Sequence, residues 1–148
     1  METVWEITEN TKIINETIVR QIRFIKDLPD YGIGDGDLGG WIEKNQNLSP
    51  FGILTENACV YDNACVYDNA EVSGDAQVYG YAQVYGYAQV YGYAQVYDYA
   101  QVYDYAQVYG YAQVYDNAEV SGDAQVYGYA QVYGDAKVSG DAQVYGNV

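Results

Sequence analysis

The chain has 148 residues, among them 20 Tyr and 16 Gly but no His. That length makes one domain, or one repeat coil with a small cap. Its 21 acidic and 6 basic residues leave a formal charge of −15, which disfavours phosphate backbones and anionic membranes and favours basic proteins as partners.

The N-terminal stretch METVWEITEN is acidic and lacks the apolar core of a signal peptide, and no run approaches a membrane span. A cytoplasmic protein is expected. Three segments, 3–8, 11–14 and 17–25, are rich in β-branched residues and predict strands, with Asn15-Glu16 as a tight turn between the second and third. Residues 27–37, with Pro29 and several Gly and Asp, predict a loop. Its Gly32-Ile33-Gly34-Asp35-Gly36 string precedes no helical pattern, so it is not read as a phosphate loop. Residues 1–36 are therefore a small β cap with its linker, and 37–148 form the repeat.

From residue 57 the chain restates one hexad. Val recurs at every sixth position from Val60 to Val144, and Ala stands two residues before each, from Ala58 to Ala142. Such strictness specifies a repeat architecture. Ala and Val, two apart, share one face of a short strand, and the residues between and after them point the other way. Gly or Asp follows, then Asn, Asp or Tyr, which marks a turn in every hexad. Counting back from Val60 by sixes reaches Leu54, Leu48 and Ile42, with Gly52 and Gly40 in the small slot. The coil is thus expected to start near Gly39, one irregular turn before the obvious repeat.

The hexad resembles the hexapeptide repeat of left-handed β-helix proteins, in which three hexads make a triangular turn of 18 residues. The resemblance implies an all-β fold, a left-handed triangular β-helix of about six turns, some 29 Å long at strand spacing. In those families Gly usually follows the large aliphatic residue directly; here Tyr or Ser stands there and Gly or Asp comes next. The run GDLGGWIEKNQNLS followed by NACVYDNA also resembles bacterial and phage repeat proteins, some labelled transferases. The activity commonest on that coil is acyl transfer with a histidine base, which this chain lacks. No Ser-His, Cys-His or metal-ligand set can be assembled, so no catalytic residue, cofactor or metal is expected.

Folding the repeat by 18 turns letters into columns. One face carries Tyr61, Tyr79, Tyr97, Tyr115 and Tyr133, with Asp62, Asp98 and Asp116 in its turn slot. These residues form the candidate interaction face. Stacked Tyr and Gln columns stabilise a coil by themselves; the alternative is an aromatic recognition surface. The acids serve solubility or mimic nucleic acid. Residues 1–56 hold ten acids and five bases, net −5, whereas residues 57–148 hold eleven acids and only Lys137, net −10. The concrete expectation is a non-enzymatic inhibitor of phage type, anti-CRISPR or anti-restriction, that binds a basic site on a host nucleic-acid enzyme in the host cytoplasm. The alternative is a self-associating structural rod. Cys59 and Cys65 face outward on neighbouring faces, so no disulfide is expected between them. The last turn has no cap, so Val144, Tyr145 and Val148 are the candidate edge of a tail-to-tail homodimer.

Overall fold

A computed structural model describes residues 3–146; Val148 lies outside the described residues. The N-terminal segment forms a hairpin of two strands, β1 (Trp5–Ile14) and β2 (Thr17–Phe24). The expected strands 3–8 and 11–14 are one strand with an irregular register between Ile7 and Thr11. The side chains of that stretch bond across to β2: Thr8 donates to the Gln21 carbonyl at 2.8 Å and Asn10 to the Gln21 side chain at 3.0 Å. The hairpin turns at Asn15 and Glu16, both left-handed at φ 47° and 68°, as a two-residue hairpin requires. A 3-10 turn, Pro29–Tyr31, occupies the expected loop.

Strand β3 (Leu38–Ile42) starts the coil. It pairs antiparallel with β2 and parallel with the next turn, Trp41 opposite Cys59 and Ile42 opposite Val60. The hairpin therefore continues one sheet of the coil and covers its first edge. Gly39 and Gly40 are needed there. A β-carbon on Gly39 would lie 2.7 Å from the Leu54 carbonyl and from Phe24, and one on Gly40 would lie 2.5 Å from Leu54 Cγ.

From Ile53 onward each hexad makes a short strand of two to four residues and a turn, and strands 18 residues apart pair in parallel. Three sheets result, of eight, six and five strands. The first face runs from β3 through Cys59–Val60, Gln77–Val78, Gln95–Val96, Gln113–Val114 and Gln131–Val132. The second holds Cys65–Val66, Gln83–Val84, Gln101–Val102, Glu119–Val120 and Lys137–Val138. The third holds Ile53–Leu54, Glu71–Val72, Gln89–Val90, Gln107–Val108, Gln125–Gly128 and Gln143–Gly146. Leu48 bridges to Val66 at the start of the second face. Ile42, Leu48 and Leu54 thus make the first turn, as the spacing predicts.

The core is a column of Ala and Val between the three sheets, buried from Ala58 to Val132. Alanine fits where the walls converge, and valine fills the remaining width. Each turn closes the same way. In Tyr97–Ala100 the Ala100 N–H donates to the Tyr97 carbonyl at 3.3 Å, and Asp98 sits at φ 59°. Gly occupies the left-handed slot most often; Asp62, Asp68, Asp98, Asp104 and Asp116 adopt it at φ 57–59°, a conformation Asp tolerates better than most residues.

Candidate interaction surface

The outward residues form continuous columns. Tyr61, Tyr79, Tyr97, Tyr115 and Tyr133 stack with ring centroids 5.0–5.5 Å apart. Tyr67, Tyr85 and Tyr103 stack on the second face, and Tyr91, Tyr109, Tyr127 and Tyr145 on the third. Their planes lie within 16° of parallel. Rings piled face to face spend their π surfaces on each other, so the ladders present edges and hydroxyls rather than flat faces. Those hydroxyls are themselves engaged. Tyr79 donates to Gln95 Oε1 and Tyr97 to Gln113 Oε1, both at 3.4 Å, and Tyr103 to Glu119 at 3.0 Å. The Tyr and Gln columns are thus one bonded layer over each sheet. Burial pushes the Tyr79 phenol well above its ordinary pKa, helped by neighbouring phenols. For Tyr103 the bond to Glu119 is the main cause of a rise, against an opposing bond to Ser121.

The hairpin alters the first face further. Asn15 Nδ2 donates to the Tyr61 hydroxyl at 2.7 Å. Val19, Cys59 and Tyr61 pack as a small buried cluster flanked by Ile14, Trp41 and Tyr79. Tyr61 is therefore covered rather than available, and Cys59, expected to face solvent, is buried. Cys65 is half-buried, and both cysteines are free thiols. Lys12 lies 4.5 Å over the Trp41 ring. Composition alone gave no signal for this contact, because a hairpin's fold-back is set by its turn and not by the repeat. Tyr133, at the other end of the ladder, is 56% exposed.

The turn aspartates are not idle charges. Asp62 Oδ2 accepts the Gly80 N–H at 3.2 Å, Asp98 that of Asp116 at 3.2 Å, and Asp116 that of Gly134 at 3.0 Å. Asp68 and Asp104 do the same for Gly86 and Gly122. Each carboxylate spans one turn of the coil and satisfies an amide that the ladder leaves over. One oxygen of each remains for a partner.

The corners divide these acids unequally. Between the first and second faces lie Asp62, Asp98, Asp116 and Asp135; between the second and third lie Asp68, Asp104, Asp123 and Asp141. These eight occur in the same turns, as the pairs 62/68, 98/104, 116/123 and 135/141. With Glu119 on the second face itself, nine of the eleven acids after residue 57 border that face. The remaining corner, between the third and first faces, holds Asp75 and, one turn earlier, Glu56, whose Oε1 accepts the Gly74 N–H at 3.2 Å.

The YdcK Beta solenoid repeat, a family of repeats, matches residues 112–128 and 130–146. The two matches start 18 residues apart, 130 against 112, which is the spacing of the stacked turns. The chain is a β-solenoid repeat protein. No curated protein matches the solenoid.

At its far end, inward slots that are buried in earlier turns open to solvent. Ala136 and Ala142 are exposed, and Val138 and Val144 are half-buried. Tyr145 stacks on Tyr127 and is 66% exposed. Near the hairpin, a cleft of about 530 Å³ is lined by Trp5, Ile7, Leu48 and Pro50 with Glu6 and Asn45. No helix of the described residues is long and apolar enough to cross a membrane.

Proposed function

We propose that this solenoid is a non-enzymatic acidic binding protein whose second face, between two rows of carboxylates, occupies a basic site on a protein that handles nucleic acid. The observation that carries the reading is the pairing of Asp62/Asp68, Asp98/Asp104, Asp116/Asp123 and Asp135/Asp141 across one face. Each row sets four carboxylates over five successive turns, about 19 Å at strand spacing. One DNA strand sets a phosphate every ~3.4 Å, about six over that length. A row therefore carries about two-thirds of the charge density of a phosphate strand, in a rigid linear array. Tyr61 and its ladder, covered at one end by the hairpin, support the first face less well. The concrete form of the reading is an inhibitor of anti-CRISPR or anti-restriction type, acting in a host cytoplasm.

The test is capture of the basic enzyme by the full chain, followed by inhibition measurements against salt. Inhibition is expected to weaken steeply between about 0.05 M and about 0.5 M salt, as screening shortens to a few ångströms. The variant D62N/D98N/D104N/D116N keeps one acceptor oxygen at each turn for the amide one coil away and removes four charges. Undiminished inhibition by that variant would refute the reading.

A second reading is a self-associating structural rod or dimer joined through the last turn. It is favoured by the exposed Ala136 and Ala142 and by the Val138, Val144 and Tyr145 edge. Contact through an apolar edge would be insensitive to salt and to the aspartate variant.

A further inference from the structure

We infer that the corner between the third and first faces is a self-association edge at which two copies of the chain pack side by side. The proposal is independent of the acidic-face reading, because it uses the side of the coil opposite that face. Tyr93, Tyr111 and Tyr129 stack along this corner with centroids 4.9–5.0 Å apart. They are 54%, 50% and 48% exposed. Their hydroxyls bond to none of the described residues. Beside them stand Gln77, Gln95 and Gln113, whose Oε1 atoms accept from Tyr61, Tyr79 and Tyr97 and whose amide N–H groups bond to none of the described residues. Between the Tyr row and the Gln row runs a groove of about 490 Å³.

The occupant must repeat as the groove repeats. An extended peptide presents side chains to one side every ~6.6 Å and loses register with a 5.0 Å ladder within two turns. A second copy has the same spacing along the whole row, so every ring of one copy meets an equivalent groove of the other. Such a contact is self-complementary, as a two-fold dimer requires. Charge selects the corner. The other two corners carry the paired carboxylates and repel their copies; this one carries Gly74, Gly92, Gly110 and Gly128 in the left-handed slot, and its two acids, Glu56 and Asp75, lie at the hairpin end, before the Tyr row begins at Tyr93. The acidic rows lie across a full face from it, six residues or up to about 20 Å away. That exceeds the Debye length of about 8 Å at physiological salt but falls inside the ~30 Å at 0.01 M. Self-association therefore strengthens with salt, opposite in sign to binding by the acidic face.

Sedimentation velocity on the full chain tests this. Monomer is expected at about 0.01 M salt and dimer at about 0.15 M. G92D/G110D adds two carboxylates to the corner in the slot that Asp98, Asp104 and Asp116 already occupy, so the fold tolerates it; this variant is expected to stay monomeric at both salts. G92N/G110N makes the same turn without charge and is expected to dimerise. Y93S/Y129S, which empties both ends of the row, is expected to be monomeric. A wild-type chain that is monomeric at 0.15 M salt at every concentration, or a dimer that persists in both G92D/G110D and Y93S/Y129S, would overturn the proposal. Inhibition by the acidic face is expected to survive all three variants, so the two readings fail separately.

Discussion

Asp98 offers a sharp test of what the turn carboxylates do. Its backbone is left-handed, at φ 59°, and its Oδ2 accepts the Asp116 N–H at 3.2 Å. Replacing it with Ala keeps a β-carbon in a conformation that costs an ordinary residue about 1–2 kcal/mol. It also removes an acceptor whose net worth is about 0.5–1.5 kcal/mol, at the low end here because water reaches the amide. Asp98→Ala is therefore expected to destabilise by about 1–2 kcal/mol. Asp98→Gly removes both the strain and the acceptor and comes out near neutral. Asp98→Asn keeps the tolerated conformation and an acceptor oxygen. It also removes repulsion with Asp116 one turn away, about 0.8 kcal/mol for unit charges at 5 Å in water before screening. Asn is thus expected to be neutral or slightly stabilising, the more so at low salt. Urea unfolding followed by circular dichroism, at two ionic strengths, measures all three. If Asn destabilises as much as Ala, the carboxylate charge itself holds the turn, and the bridging account of these aspartates fails.

Three further outcomes follow from the same geometry. Tyr97→Phe deletes a long 3.4 Å bond to Gln113 and should cost under about 1 kcal/mol. Tyr97→Ala also loses two stacked neighbours, worth about 1–3 kcal/mol together; equal urea midpoints for the two variants would show that stacking adds nothing. Ala100→Leu places three extra carbons in a slot with no accessible surface and should cost at least ~1–3 kcal/mol by overpacking, read as a drop in thermal midpoint that Gln101→Leu on the outer side does not share. The alkaline limb of stability should be steep. Burial raises the Tyr61, Tyr79, Tyr91 and Tyr97 phenols above the ordinary 10.0. An acid whose folded-state pKa is raised stabilises fully below its unfolded value, and that stability is lost as pH climbs from there through the folded value. Unfolding should therefore set in above about pH 10, together with phenolate absorbance; ionisation of all tyrosines at pH 10 with the fold intact would contradict it.

Much of the scaffold is legible in the sequence. Ala and Val at fixed spacing determine which side chains point inward, because a strand's side chains alternate whatever the strand packs against. The same count finds the irregular first turn at Ile42, Leu48 and Leu54. Asn15 marks the hairpin turn because Asn accepts a positive φ more readily than most residues, and it stands between two β-branched runs. The strand break expected between Thr8 and Thr11 is absent, since the side chains of Thr8 and Asn10 bond to β2 and carry the strand through its irregular register.

Tertiary structure decides the surface. Hydrophobic spacing fixes the repeat of one hexad and is silent on the angle through which each turn rotates the chain. That rotation sets which acids share a corner, which tyrosines stack, and which face lies opposite the least acidic corner. It turns an evenly acidic composition into two matched rows beside the second face. It also aims each Asp98-type carboxylate at an amide one turn away, and it lets the hairpin bury Tyr61 and Cys59. These are contacts between residues 16 to 46 positions apart in sequence. Their partners are brought together only by the closing of the coil, so local spacing determines the scaffold and the closed coil determines its sides.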